Sequence, residues 1–405
     1  MTHSHIPLEI ADLVLENTYT PRCFYINLSK QEIGTLASCA LVCRSWRPFA
    51  QRRLFEHVWL DLKSKHLDQF LACLESSPHI AAATRLLCIY FTGSREDDHQ
   101  LRGNEDKPEE QQVSPVLLMK IAAKLSSRAQ LKLEAFTLLG WPSDTPLPTA
   151  PVRLHTLGVF GLQYIPFLRP QSTTFDLTSF FELDHIHLAC NRMLDTTNTT
   201  ATSDVLVSST ATRPVARSIN LINNDCFATC SLECGGFDPG SLQTVRLTPR
   251  DFASLQLAGM LLRRHADSIR DVHVDVSYGM LYTTELGSDS LWATFDITPC
   301  THLETLRLDW HHIGDVPADD ALEQDLHVCA AIAYILAATP PTIRTLALSL
   351  PYAQHPDTLV DSLHCVAPRI EQAVARFPGL KTVSVRVTRS FAAEECMKAV
   401  LPSVL

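Results

Sequence analysis

One pattern of apolar and polar positions recurs along the later part of the chain: apolar-x-x-apolar-x-apolar. It opens at Leu133-Glu134-Ala135-Phe136-Thr137-Leu138 and returns at Leu154–Val159, Leu183–Leu188, Ala216–Leu221 and Leu242–Leu247. Further copies are Ile269–Val274, Leu303–Leu308, Ile343–Leu348 and Leu380–Val385. The last positions of each unit alternate, as a strand with one buried face requires. The first apolar residue brings the incoming chain onto the core. From Leu154 on, successive first positions lie 26 residues apart at the closest (216 to 242) and 40 at the widest (303 to 343). Several spacers have a helical period: Phe252–Arg264, Leu326–Ala338 and Leu359–Phe377. Strand, helix and strand at this spacing predict parallel strands lying side by side.

The N-terminal pattern is different. Ile6, Ile10, Leu13 and Val14 make a helical stripe led by Pro7, a residue suited to a first helical turn. A second stripe runs Leu36, Cys39, Ala40, Cys43 and Trp46, widened by Leu41 and Val42. Together they carry more apolar surface than a segment of about fifty residues can hide. The excess is to be covered by the rest of this chain or by another protein. Between the two patterns, Leu67, Phe70, Leu71 and Leu74 share a helix face. Arg85–Tyr90 is strand-like and Val116–Leu131 is helical by period. The acidic stretch 94–112, the Thr/Ser/Ala-rich stretch 195–213 and the acidic stretch 310–325 are expected as loops.

Two resemblances follow. Ile6-Pro7-Leu8-Glu9-Ile10, Ala40-Leu41-Val42-Cys43-Arg44-Ser45-Trp46 and Ala50-Gln51-Arg52-Arg53-Leu54-Phe55 resemble an F-box in the form common in fungal proteins. The opening is Ile-Pro where the motif usually has Leu-Pro, and Asn17–Gln31 is longer than the usual connection. The repeat resembles an irregular leucine-rich repeat, without that family's regular Asn or Cys after the strand. The expected fold is therefore α/β: a short all-helical F-box module at 1–60, connecting helices, a first strand and an acidic loop at 61–132, and a repeat solenoid with a parallel sheet at 133–405. A compact α/β domain with a parallel sheet is the alternative.

The resemblance implies a substrate-recognition subunit of an SCF-type cullin–RING ubiquitin ligase. The F-box would dock on the Skp-type adaptor through Ile6, Pro7, Leu8, Ile10, Leu13, Leu36, Leu41, Val42 and Trp46. The repeats would hold a protein substrate, and other subunits would transfer ubiquitin. The rival reading is a non-ligase interaction scaffold whose F-box-like helices pack on their own chain.

Composition narrows the partners. With 46% hydrophobic residues among 405, the chain can build a large core. A net charge of −10 argues against nucleic acid and acidic membranes as partners. The 13 cysteines lack paired spacing, and the N-terminus has neither a basic n-region nor an apolar h-region. Reduced thiols in cytoplasm or nucleus are expected. The longest uncharged apolar run, Val328–Ala338, is too short to span a bilayer.

Little in the sequence points to catalysis. Cys226, Cys230 and Cys234 are four apart and lack the close pairs of common zinc sites, so no metal is expected. His311 and His312 are adjacent after a strand and make a poor chelate. Glycine-rich phosphate loops and nucleophile elbows are missing, and no acid/base pair is recognisable. No enzyme activity and no cofactor are expected.

The alternation does predict one surface. If Leu306 and Leu308 point inward, Thr305, Arg307 and Asp309 point to the open side. The middle outward position of successive units reads Gly158, His187, Asn220, Arg246, His273, Arg307, Ala347 and Ser384. His187, Asn220, Arg246, His273 and Arg307 are the candidate substrate-binding residues. The row forms either a positive strip for an acidic or phosphorylated segment, or a solvated face neutralised by Asp271, Asp275 and Asp309 beside it.

Overall fold

The computed structural model describes residues 30–42, 46–62, 66–91, 112–139, 142, 145–146, 150–164, 180–189, 192–193, 213, 215–222, 237–238, 240–249, 252–276, 292, 294–309, 328, 330–350, 365 and 368–387. The first apolar stripe, most of the three expected loops, Cys226, Cys230, Cys234, His311 and His312 lie outside them. The chain forms two compact units. One is Met1–Phe167 with Phe180–Glu182 and Leu194–Thr197; the other is Leu168–Ser179, Leu183–Met193 and Asn198–Leu405. Among the described residues no helix is long and apolar enough to cross a membrane.

The first unit opens with helices α1 (Lys30–Val42) and α2 (Arg47–Glu56). Leu36 and Ala50 are buried against each other's helices, with Cys39, Ala40, Phe49 and Leu54 packed around them. The expected stripe thus holds for Leu36, Cys39 and Ala40. It does not reach Trp46, because α1 ends at Val42 and Trp46 is instead the N-cap of α2. Nor does Leu41 widen it. Five residues beyond Leu36, it lies about 140° around the helix from it.

The unit continues through β1 (His57–Asp61), α3 (His66–Ser76), α4 (Pro78–Ala83), β2 (Leu86–Tyr90), β3 (Gln112–Val113) and α5 (Pro115–Ala122). Then come β4 (Gln130–Glu134), β5 (Thr137–Leu138), β6 (Val152–Phe160) and β7 (Gln163–Tyr164). The main strands lie in the order β1-β2-β4-β6, each pair parallel. A short parallel ladder, β3-β5-β7, runs beside them in sequence. Leu87, Leu131 and Leu157 form one fully buried row, and Ile89, Leu133 and Val159 the next. Each such side chain contributes ~1.5–3 kcal/mol of transfer free energy.

Three expectations change here. Residues 57–61 are a strand of the sheet, so the boundary expected after 60 falls inside β1. The helix expected to reach Leu131 stops at Ala122, and the boundary expected after 132 falls inside β4. The first repeat also has another register: Leu131 and Leu133, not Phe136 and Leu138, pair with Leu157 and Val159. Both choices satisfy a period of two. The backbone decides between them, because Ala135 takes the left-handed conformation (φ 62°) and ends the strand.

The second unit contains β8 (Phe181–Ala189, from Leu183 on), β9 (Arg192–Met193), β10 (Val215–Ile222), β11 (Thr244–Thr248) and α6 (Phe252–Arg264). It ends with β12 (Asp271–Asp275), β13 (Thr305–Asp309), β14 (Thr345–Leu350) and β15 (Thr382–Val387). The strand order is β8-β10-β11-β12-β13-β14-β15, and the pairs from β10 to β15 are parallel. Residues 330–338 and 368–374 are helical, so helix alternates with strand as the spacing predicts. Ile219, Val245, Val272, Leu306 and Leu346 form a buried row, as do Leu221, Leu247, Val274, Leu308 and Leu348. The first apolar residues Leu242, Ile269, Leu303 and Ile343 are fully buried. Beneath them α6 buries Leu255, Ala258, Leu261 and Leu262. Gly259 on that helix meets the backbone carbonyl of Thr294 where a Cβ would clash.

Candidate functional site

Two surfaces carry the sequence-derived candidates. On the first, Ile6, Pro7, Leu8, Ile10 and Leu13 lie outside the described residues, as does the side chain of Val42. Leu36 is 1% exposed and spent on holding α1 to α2. It positions the surface rather than forming it. Trp46 is half-buried, its carbonyl accepting from the backbone N–H of Ala50 in the first turn of α2. Leu41 is 86% exposed, near the C-terminal end of α1. A leucine so placed costs apolar hydration with no compensating burial among the described residues.

The second surface is the open face of the second unit. The ladder places Asn220 opposite Arg246, Arg246 opposite His273, His273 opposite Arg307, Arg307 opposite Ala347 and Ala347 opposite Ser384. His187 joins the row through its ring Nδ1, 3.2 Å from the Asn220 amide nitrogen. The two groups are within hydrogen-bond distance across adjacent strands. Burial holds the His187 pKa below its ordinary value, with His185 and Arg246 adding to the effect. All five candidate residues therefore lie in one row, with neighbours about 4.8 Å apart.

The acids beside the row meet its histidine or other groups rather than its arginines. Asp309 Oδ2 lies 2.5 Å from His273 Nε2. Asp271 accepts from the Thr244 hydroxyl at 3.3 Å. Asp275 is buried, at 7% exposure. Arg246 and Arg307 are exposed, and neither makes an ion pair with a described residue. Among the described residues the face thus carries two guanidinium groups without an ion pair.

In the first unit the corresponding row has another character. Lys132 lies opposite Gly158. Its ammonium sits 5.1 Å from the Phe160 ring centroid and 5.8 Å from that of Trp59, and 2.9 Å from Glu134. This cation is already satisfied.

Sequence reasoning missed a further row at the start of the second unit's strands. Backbone bonds link Arg217 to Gln243, Gln243 to Arg270, Arg270 to Glu304, Glu304 to Arg344 and Arg344 to Lys381. Four of these six are cationic, and only Arg270 and Glu304 approach each other, at 3.5 Å. The signal was present: each is the second residue of its unit. Between the two rows lie Ser218, Thr244, Asp271, Thr305, Thr345 and Thr382, which are mostly hydroxyls.

Burial pushes the Cys300 thiol up to about 12, leaving a core thiol rather than a nucleophile. Among the described residues, no group of His, Cys, Asp and Glu could hold a metal ion. No family model matches the chain, and the curated proteins give no significant match.

Proposed function

We propose that this chain is the substrate-recognition subunit of an SCF-type cullin–RING ubiquitin ligase, with an F-box at its N-terminus and an irregular leucine-rich-repeat solenoid after it. The exposure of Leu41 carries the reading. It belongs to the Ala40-Leu41-Val42-Cys43-Arg44-Ser45-Trp46 motif, and it projects from a helix whose Leu36, Cys39 and Ala40 pack on α2. A Skp-type adaptor covering it recovers the burial that the chain leaves undone. The row Arg246, His273 and Arg307 suits an acidic segment of a protein substrate. The chain itself performs no chemistry. It raises the local concentration of substrate beside the transfer machinery.

The test is co-expression with a Skp-type adaptor and recovery on a tagged chain. Leu41→Arg is expected to cut adaptor recovery by the equivalent of about 2 kcal/mol or more, while folding is unchanged. Undiminished recovery by a folded Leu41→Arg chain overturns the proposal. The burial of Leu36 within the chain favours a second reading, a binding scaffold with a self-packed helical cap. That reading expects no adaptor recovery from the unsubstituted chain.

A further inference from the structure

The first unit holds a cleft of about 640 Å³ between α2, α4 and the residue preceding β2. Its lining includes Arg47, Arg52, His79 and Arg85, and no carboxylate among the described residues. The chain as a whole carries ten more acidic than basic charges, so three arginines on one described wall, with Glu56 at its edge holding only Arg85 of the three, run against its composition. The rest of the described lining is Pro48, Gln51, Ile80, Ala82 and Ala83, mostly apolar.

Local structure explains how these groups converge. Arg47 and Gln51 are four apart on α2, as are Pro48 and Arg52, so both pairs share one helix face. His79, Ala82 and Ala83 lie three and four apart on α4. The backbone N–H of Arg85 donates to the Glu56 carbonyl at 2.9 Å, which ties the end of α2 to the end of the α4 segment. Glu56 also takes the Nε edge of Arg85 at 3.4 Å. That contact orients the guanidinium, whose side chain is still 63% exposed. Glu56 also pairs with Arg53 at 3.0 Å, so its charge is shared. Arg47 and Arg52 are exposed and make no ion pair with a described residue.

We infer that this cleft binds a small phosphomonoester with an apolar body. Arg47 and Arg52 supply two planar forks matched to phosphate oxygens and the positive charge for a dianion, with Arg85, oriented by Glu56, beside them. Pro48, Ala82 and Ala83 offer the apolar part a surface. The volume falls within the range of small-molecule sites. The inference is independent of adaptor binding, since Leu41 does not line the cleft.

Isothermal titration of the full chain with phenyl phosphate, inorganic phosphate and benzoate tests it. Saturable binding of phenyl phosphate is expected, weakened by added salt and tighter than that of inorganic phosphate or benzoate. Arg47→Ala with Arg52→Ala is expected to weaken it by roughly tenfold or more. Arg47→Lys with Arg52→Lys keeps the charge and the helix but loses the forks, and is expected to weaken it severalfold. Three results overturn the inference: no saturable binding of phenyl phosphate, benzoate binding as tightly, or phenyl phosphate affinity unchanged in the folded lysine variant.

Discussion

His273 on β12 and Asp309 on β13 meet across adjacent strands, Nε2 to Oδ2 at 2.5 Å, with both side chains largely shielded from water. Asp309 lies on the same strand face as Arg307, two residues on, yet it is committed to the neighbouring strand's histidine. Shielding makes such a contact worth more than an exposed pair. A double-mutant cycle of His273→Ala and Asp309→Ala in urea is expected to give a coupling of about 1 kcal/mol. A coupling near zero would mean that the pair does not shape the face.

Arg246 and Arg307, on either side of His273, are exposed. Replacing both with alanine is expected to change stability by no more than about 0.5 kcal/mol each. Capture of an acidic protein substrate should fall by roughly tenfold or more, with adaptor recovery intact. Equal capture by the double variant would remove the row from substrate binding.

Leu36 and Leu41 sit on one helix and should respond oppositely. Leu36→Ala opens a cavity against Ala50 and is expected to cost about 2–5 kcal/mol of stability. Leu41→Ala removes an 86% exposed side chain and should leave the unfolding midpoint unchanged while lowering adaptor recovery. Thermal unfolding beside pull-down separates the two roles.

Gly259→Ala drives a Cβ into the Thr294 carbonyl, which is backbone and cannot swing aside. A loss of about 1–3 kcal/mol is expected in denaturant unfolding. Gly379 is the control: there an added Cβ meets the Ile343 carbonyl at 3.7 Å, an ordinary contact, and Ala should be tolerated.

His265, at the end of α6, has its pKa lowered to about 4, first by burial and then by Arg264 and Arg213, with Asp238 opposing. The unfolded chain therefore binds a proton near pH 6.5 that the folded chain refuses until about pH 4. Stability from this group is complete above pH 6.5 and is lost as pH falls toward 4, by a few kcal/mol. His265→Leu should flatten that part of the stability–pH curve. An unchanged slope between pH 6.5 and 4 would assign the acid sensitivity to other groups.

The apolar pattern alone determined the inward rows of the second unit and, with them, the outward row. Once Leu306 and Leu308 face the core, a period of two leaves Arg307 no other side, and equal placement within each unit sets Arg246, His273 and Arg307 abreast. The helix Phe252–Arg264 was legible to the residue for the same kind of reason, a sustained 3.6 period. Tertiary structure decided the rest. Two alternating choices competed around residues 131–138, and only the backbone turn at Ala135 selected one. Composition shows acids near the arginines, but geometry decided that Asp309 meets His273 and that Asp275 is buried. The exposure of Leu41 depended on which face of α1 met α2. The basic cleft was invisible in the chain because Arg47 and Arg85 are far apart in sequence. Periodicity reports which side a residue faces; pairing depends on distances that only the folded chain sets.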